Sequence, residues 1–380
     1  MKVAFIGQKG IPAKQGGIEK HVEELSARLA QAGLNVTVYC RPHYTGNSNK
    51  SAFGIRTINL PSLKTKNLDA ISHTFLATIH ALFQNYDIIH YHGVGPSLLS
   101  WLPRIFAPKT KVIATFHCVD RKHQKWSHFA KLMLKAGEWA ACHFPHQTIT
   151  VSQALKKYCQ QRFGRETTYI PNGVTTTNNN EGKILTEFGL SQNKYFLAVA
   201  RLVRHKGLHT LIMAYQQIAS DKKLVIVGAG ANTDSYVDYL HQLAQGNKNI
   251  IFTGQQGGEN LEALFRNAYL FVQPSEAEGL SIALLEAMAY GLPILISDIE
   301  ENQEAAQGLG LEFENKNIAD LARQMKLAEQ NQEEIKARAA EAKKIINQKY
   351  NWHQITKETI ILYNQAAEGK NAVKVKAALK

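Results

Sequence analysis

The sequence contains only four cysteines in 380 residues. They are far apart and include no C-x-x-C pair: Cys40, Cys118, Cys142 and Cys159. This scarcity argues against a disulfide framework or a cysteine-bound metal, and we expect buried or idle thiols in a reducing cytosol. Long hydrophobic runs are also missing, since no apolar stretch reaches the roughly 18 to 20 residues that a transmembrane helix needs. The N-terminal KVAFIG is too short for a signal peptide and is typical of a strand.

Acidic residues are scarce in one part of the chain, and the whole protein carries a formal net charge of +13. Residues 104–165 contain twelve Lys or Arg but only two acids, Asp120 and Glu138. Such a stretch attracts nucleic acid, anionic lipid or phosphorylated substrates. Large aromatic residues accompany it: Trp101, Trp126, Phe129 and Trp139. The combination suits an anionic membrane surface, and a solvated basic face over core aromatics explains it equally well.

A chain of this length exceeds what one hydrophobic core usually supports, so two domains are expected. Short apolar strands such as KVAFIG and KVIATFH alternate with helical patterns, and the alternation restarts at YFLAVARL after the turn-rich linker PNGVTTTNNNEG. This pattern predicts parallel sheets covered by helices on both faces. We therefore predict an α/β protein with two Rossmann-like domains, 1–175 and 185–345, facing each other across a cleft. A C-terminal helix over 350–368 is expected to pack back on the first domain.

Two strand-to-helix junctions are candidates for anion binding. Gly16 and Gly17 precede the first helix, where paired glycines let backbone amides approach an anion near the positive helix end. A tight turn explains the same pair, and no Gly-Lys-Ser/Thr follows to make a P-loop. Arg201 and Lys206 in ARLVRHKG follow a later strand, and a guanidinium beside an ammonium suits a diphosphate. Two solvated surface cations are the alternative.

The segment QPSEAEGLSIALLEAMAYG contains two carboxylates eight residues apart, Glu278 and Glu286, in the pattern E-x7-E. Carboxylates accept hydrogen bonds from the hydroxyls of sugars and ribose. Three residues between them offer free backbone amides for phosphate oxygens: Gly279, Leu280 and Ser281. This order matches the sugar, diphosphate and ribose of a nucleotide diphosphate sugar. Solvated helix glutamates are the alternative, and we expect that description to fit Glu276 better.

Together these motifs resemble glycosyltransferase family 4, retaining enzymes with the GT-B fold. The resemblance covers nearly the whole chain, through GGIEKHVEEL, IPNGV, ARLVRHKG, VIVGAG and EGLSIALLEAMAYGLPIL. GGIEKHVEEL and TFHCVDRKHQKW are most similar to bacterial enzymes that build cell-surface polysaccharides. The resemblance implies sugar transfer from a nucleotide diphosphate sugar to a saccharide or lipid-linked acceptor. With the reducing cytosol expected from the cysteines and the basic, aromatic stretch, we expect a cytoplasmic location with peripheral binding to the inner face of the cell membrane.

The resemblance implies roles for individual residues of the donor site. Arg201 and Lys206 would hold the diphosphate together with the glycine amides of the first loop. Glu278 would bind the transferred sugar, and Glu286 the ribose. The family needs no divalent ion, and the sequence has no D-x-D motif, so we expect no metal and no cofactor. Positive charge from the two cations and the helix ends would stabilise the leaving diphosphate instead.

On the acceptor side, the resemblance places His117 near the reacting carbon, where it would orient the sugar or the acceptor. A histidine at a strand end is also commonly structural. Asp120 is a second candidate for acceptor contact, and a loop carboxylate paired with Arg121 or Lys122 is its alternative. Relatives often have glycine after the histidine, whereas this chain has Cys118.

Other classes of protein are less well supported by the sequence. An epimerase or phosphorylase can share the fold, but no segment resembles a pyridoxal phosphate site. A dinucleotide-dependent oxidoreductase is disfavoured because Thr233 replaces the third glycine of G-x-G-x-x-G in VIVGAGANTD. No recognised nucleic-acid-binding module accompanies the basic stretch, so no nucleic-acid partner is expected. A catalytically inactive scaffold, or a membrane- or nucleic-acid-binding protein, is the alternative to an enzyme.

Overall fold

The computed structural model describes residues 1–46, 54–65, 68–122, 128–176, 183–230 and 233–367. The chain divides into two compact units. Unit 1 contains the described residues up to 172 together with 352–367, and unit 2 contains those of 173–351. The second half of the predicted linker, 177–182, lies outside the described residues.

Unit 1 is built on a seven-stranded sheet in which every pair of neighbouring strands is parallel. Its strands are β1 (Lys2–Ile6), β2 (Asn35–Cys40), β3 (Arg56–Asn59), β4 (Ile88–His92), β5 (Lys111–Phe116), β6 (Gln147–Thr150) and β7 (Thr168–Tyr169). They lie in the order β3-β2-β1-β4-β5-β6-β7. All five residues of β4 are buried, as expected for a strand covered on both faces.

The helices of unit 1 follow the apolar periodicity of the sequence. In chain order they are α1 (Gly17–Gln31), α2 (Pro42–Thr45), α3 (Asp69–Leu82), α4 (Val94–Ser97), α5 (Trp101–Phe106), α6 (His128–His143) and α7 (Gln153–Phe163). Helix α7 shows why such a segment begins and ends where it does. The Ser152 hydroxyl accepts a hydrogen bond from the Leu155 N–H at 3.2 Å, and Gly164 ends the helix in the left-handed conformation.

Unit 2 contains a second, six-stranded parallel sheet. Its strands are β8 (Tyr195–Val199), β9 (Lys223–Val227), β10 (Ile250–Gly254), β11 (Leu270–Gln273), β12 (Ile294–Ser297) and β13 (Leu311–Phe313). They lie in the order β10-β9-β8-β11-β12-β13. The chain adds β9 and β10 on one side of β8 and the later strands on its other side, as in other doubly wound sheets. The two Rossmann-like sheets predicted from the sequence are thus confirmed.

The remaining helices complete both units. Those of unit 2 are α8 (Ile184–Glu187), α9 (Leu208–Tyr215), α10 (Asp234–Ala244), α11 (Gly258–Asn267), α12 (Ile282–Tyr290), α13 (Glu300–Ala306), α14 (Ile318–Gln330) and α15 (Gln332–Lys349). The last helix, α16 (Trp352–Ala366), belongs to unit 1, where it packs on α1. Ile355, Ile360 and Tyr363 of α16 share a buried core with Val22 and Leu25 of α1.

None of the four cysteines, all of which lie in the described part of the chain, forms a disulfide, and Cys40, Cys142 and Cys159 are buried. Among the described helices, none is both long enough and apolar enough to cross a membrane. Because the strands of each sheet are parallel, their carboxyl ends lie along one edge, where ligands usually bind in this class of fold. Within unit 1 this edge carries His92 and His117, and within unit 2 it carries the loops that follow β8 and β11.

Candidate functional site

An ion pair joins two of the predicted donor-site residues in unit 2. Lys206 Nζ lies 2.5 Å from Glu278 Oε1, although the residues are 72 positions apart in the sequence. The side chains are only 16% and 9% exposed. Removing one partner of a buried pair typically costs about 3–5 kcal/mol, whereas exposed pairs are worth about 0–1 kcal/mol. Since an ammonium has three N–H donors, Lys206 retains capacity for an anionic ligand while it binds Glu278.

The backbone around Gly207 brings this lysine to its partner. Lys206 ends a short 3₁₀ helix, Arg204–Lys206, and Gly207 follows in the left-handed conformation with φ +66°. A Cβ atom at this position would overlap the carbonyl oxygen of Pro274, in the loop after β11. The Glu276 N–H also donates to the His205 carbonyl at 2.8 Å. The loops after β8 and β11 are therefore tied together, and they carry Lys206 and Glu278 respectively.

A chain of buried polar side chains supports the loop that holds Glu278. Ser281 accepts a hydrogen bond at the start of α12 and donates to Gln273 Oε1 at 2.7 Å. Gln273 Nε2 donates to Asn302 Oδ1 at 2.8 Å, and Asn302 Nδ2 donates to the Ser297 hydroxyl at 2.9 Å. Ser297 in turn donates to the Ser275 carbonyl at 2.5 Å. Sequence reasoning missed this network, although a glutamine ending the apolar strand AYLFVQ was a signal for it.

The other donor-site residues predicted in unit 2 lie in the loops after β8 and β11 and in α12. Arg201 is half-buried two residues after β8, and it is not part of the ion pair. Gly279 and Leu280 are buried in the loop before α12, and the Ser281 hydroxyl serves as the N-cap of that helix. Glu286 is a buried residue of α12. The two glutamates of E-x7-E thus come from a loop and from the helix that follows it.

The expectation that Glu276 is a solvated helix glutamate is wrong. Its side chain is only 10% exposed, and it precedes α12 in the loop. Its carboxylate lies 3.4 Å from Lys316 Nζ and 3.9 Å from His209 Nε2. Burial, followed by the positive charge of Arg204, lowers the pKa of His209, and the Glu276 carboxylate acts in the opposite direction. Glu276 is therefore a second partly buried carboxylate beside Glu278, held by cationic or polar neighbours.

In unit 1, the predicted glycine pair lies at the N-terminus of α1. Gly16 precedes the helix with φ +100°, and a Cβ there would overlap the carboxylate of Glu19. That carboxylate accepts a hydrogen bond from the Lys9 N–H at 3.2 Å. The left-handed backbone conformation favours glycine at position 16, and a side chain there would also displace the Glu19 carboxylate. Gly17 is the first residue of the helix.

His117 lies directly after β5, within a group of buried histidines that the sequence analysis did not identify. His117 Nε2 is 3.2 Å from Nδ1 of His92, which ends β4, and the two rings are stacked. The ring of His21, from α1, meets that of His117 edge-on with centroids 4.9 Å apart. Burial, followed by the charge of His21 and His90, keeps the pKa of His117 well below 6.5. His117 is therefore a neutral imidazole at pH 7. In the sequence, the signals for these neighbouring histidines were the motif HYH at the end of a strand and the histidine of GGIEKH.

The loop after His117 gives Asp120 a neighbour that the sequence analysis did not identify. Asp120 accepts a hydrogen bond from Cys118 Sγ at 3.1 Å, so the residue that departs from the family pattern contacts the candidate acceptor carboxylate. Arg121 is not its partner. Its Nε donates to Glu138 at 3.0 Å, and its terminal nitrogen donates to the Tyr158 hydroxyl at 2.8 Å.

Two family models match the chain over most of its length. The model described as Glycosyltransferase Family 4 matches residues 15–178, and the model described as Glycosyl transferases group 1 matches residues 184–348. One match falls on each Rossmann-like unit. Together the two matches identify the chain as a glycosyltransferase of the family 4 type with the GT-B fold.

Individual relatives agree with this assignment. An uncharacterized glycosyltransferase of Methanocaldococcus jannaschii is 27% identical over 97% of this chain and 99% of its own length. The phosphatidyl-myo-inositol mannosyltransferase of Mycobacterium leprae is 26% identical over 75% of each chain. Among solved structures, Anabaena HepE in complex with UDP and glucose superposes with a TM-score of 0.79, at 20% identity, over 96% of this chain and 100% of that one. The structural likeness establishes the fold.

Proposed function

We propose that this protein is a retaining glycosyltransferase that moves a sugar from a nucleotide diphosphate sugar to a saccharide or lipid-linked acceptor in cell-surface polysaccharide synthesis. The observation that carries the proposal is the partly buried Lys206–Glu278 pair at the carboxyl edge of the unit 2 sheet. A cation and a carboxylate held together there match the two needs of such a donor, which are charge for the diphosphate and an acceptor for sugar hydroxyls.

In this reaction the bond between the anomeric carbon and the diphosphate oxygen breaks, and the acceptor oxygen forms a bond to the same face of that carbon. The acceptor proton passes to the leaving phosphate. Lys206 and Arg201 stabilise the charge that develops on the diphosphate, and Glu278 orients the sugar through its hydroxyls. Glu286 binds the ribose, while Gly16, Gly17, Gly279, Leu280 and Ser281 supply backbone amides. His117, as a neutral imidazole, orients the sugar or the acceptor.

Positive charge from side chains and helix ends takes the place that a divalent ion holds in metal-dependent transferases. We therefore propose activity without a metal or other cofactor. A ligand that binds the folded state raises the melting temperature by mass action. At a ligand concentration of a hundred times Kd, it stabilises the protein by about 2.7 kcal/mol. In a thermal-shift screen with EDTA present, we expect one family among UDP, GDP, dTDP and ADP with their sugars to raise the melting temperature.

UDP is the first nucleotide to test, because the HepE structure contains it. The Lys206→Ala variant should lose most of the shift, and the Lys194→Ala variant should keep it. A shift that disappears with EDTA would overturn the metal-independent mechanism. If no nucleotide shifts the wild-type protein, in the presence or absence of a saccharide acceptor, the inactive-scaffold alternative becomes the better explanation.

We also propose that the enzyme acts in the cytoplasm and docks on an anionic membrane through α6. Phe129 and Leu132 on this helix are 72% and 61% exposed, and the exposed Met133 lies on the same face because residues three or four apart are neighbours. Lys131 and Lys135 are exposed beside them. Exposed apolar side chains flanked by lysines suit the interface of an anionic bilayer. Trp126, which the sequence analysis added to this surface, lies outside the described residues.

We expect the protein to float with vesicles that contain anionic lipid and not with purely zwitterionic ones. Replacing Leu132 and Phe129 together with serine should abolish flotation, because this removes the two most exposed apolar side chains of α6. Ile361→Ser is the matched control, since Ile361 is an exposed apolar residue of α16 in the same unit. Flotation that is indifferent to anionic lipid, or equal in all three proteins, would contradict docking through α6.

A further inference from the structure

The buried histidines of unit 1 bring three imidazoles to one point. One ring nitrogen from each of His21, His92 and His117 lies within 4.8 Å of the others. The closest two, His92 Nδ1 and His117 Nε2, are 3.2 Å apart. Two nitrogens bound tetrahedrally to Zn²⁺ at about 2.0–2.1 Å are separated by about 3.3 Å, so this distance already fits a shared metal ion. The three ligands come from α1, β4 and the end of β5, which pack in one unit.

Hydrogen bonding distinguishes His21 and His92 from their neighbour His90. Both ring nitrogens of His90 are bonded at 2.7 Å, to Tyr363 and Thr115, so it has a structural role. By contrast, neither ring nitrogen of His21 makes a hydrogen bond of ordinary geometry within the described part of the chain, and His92 Nε2 makes none there. Buried polar atoms in proteins are nearly always bonded, so these orphaned nitrogens indicate an absent partner.

The donor set suits a transition metal. A site of three imidazoles with no carboxylate selects Zn²⁺, Co²⁺, Ni²⁺ or Cu²⁺ over Mg²⁺ and Ca²⁺, which prefer oxygen ligands.

We propose that His21, His92 and His117 form a binding site for a transition metal ion of the Zn²⁺ class. Three protein ligands leave a fourth position open to water or to an added ligand. The ion coordinates Nε2 of His117, which is the atom of that ring closest to His92. This nitrogen is then no longer available for another contact. If the proposed function holds, in which His117 orients the sugar or acceptor, the bound ion is an inhibitor. Catalysis in the presence of EDTA and inhibition by Zn²⁺ then both follow from the role of His117.

Binding is tested on the full chain, stripped of metal, by titration with Co²⁺ alone and observation of its visible absorption. We expect one Co²⁺ per chain with the intense bands of tetrahedral coordination, displaced by Zn²⁺ and not by Mg²⁺. His21→Gln should weaken Co²⁺ binding at least tenfold, because it removes one of three ligands. His241→Gln, at an exposed histidine of unit 2, should bind as the wild type does. Equal Co²⁺ affinity in the two variants would overturn the site.

A second measurement does not depend on the folding of a variant. X-ray absorption at the zinc edge of the wild-type protein with one equivalent of Zn²⁺ should show three imidazole scatterers, and a sphere dominated by oxygen would contradict the proposal. Zn²⁺ should also inhibit sugar transfer by the wild type. The His21→Gln variant should require at least a tenfold higher Zn²⁺ concentration for the same inhibition. A protein that binds Co²⁺ as expected but transfers no sugar would refute the proposed function and leave the metal site standing.

Discussion

Lys206→Ala is expected to lower turnover by about 10²–10³-fold while the protein remains folded, which corresponds to about 3–4 kcal/mol of lost transition-state stabilisation. The reason is that Lys206 is the cation nearest to Glu278 in a largely water-excluded loop, where its charge acts strongly on a diphosphate. Steady-state kinetics with saturating donor measure the effect, because the interaction strengthens as negative charge develops. The decrease should therefore appear in kcat and not only in KM.

The chain contains a matched control for this variant. Lys194 Nζ lies 2.6 Å from Asp221 Oδ2 in the same unit, but these side chains are 57% and 61% exposed. Lys194→Ala removes a lysine–carboxylate pair of similar length that water already screens, so turnover should stay within about twofold of the wild type. The turnover of the Glu278→Ala variant should fall as sharply as that of Lys206→Ala. Near-normal turnover in a well-folded Lys206→Ala protein would refute the donor-site assignment.

Gly207→Ala is expected to destabilise unit 2 by about 3–5 kcal/mol, which places it among the most damaging single substitutions. The added Cβ would overlap the Pro274 carbonyl oxygen, and the left-handed backbone at φ +66° adds strain of its own. Relief requires the loops after β8 and β11 to separate, which also moves Lys206 away from Glu278. Calorimetry should show the unfolding of unit 2 about 10 °C or more below that of the wild type.

Gly246→Ala separates the two causes of this effect. Gly246 also has a left-handed backbone, with φ +83°, but a Cβ there would meet no atom within 4 Å. Gly246→Ala should therefore lower the free energy of unfolding only through backbone strain, by about 1–2 kcal/mol. If both variants melt at the same temperature, the contact between Gly207 and Pro274 does not hold the loops together, and the explanation for the position of Lys206 fails.

The α/β architecture could be predicted from the sequence because its determinants are local. Runs such as VAFI and LVIV are apolar throughout, and residues such as Val22, Leu25 and Leu29 repeat at helical spacing. These patterns depend only on chain neighbours, so they indicated two parallel sheets, and the structure confirms both. The family assignment was equally accessible, since E-x7-E and the glycine loops are contiguous motifs.

Contacts between distant segments were not accessible in the same way. Glu276 and Glu278 lie in one loop with similar local sequence, yet their partners come from two other places, one with Lys206 and His209 and one with Lys316. Gln273 and Asn302 meet across 29 residues, and His90 meets Tyr363 across 273. No periodicity encodes these pairs.

The sequence by itself therefore determined the fold class, the family and the segments that supply the candidate donor site. Only the tertiary structure decided that Lys206 pairs with Glu278, that Glu276 is partly buried, and that His21 and His92 join His117. The physical reason is that burial and charge pairing depend on which strand ends lie side by side. In a parallel sheet that order comes from crossover connections, so β4 and β5 bring together histidines from segments that the chain keeps apart.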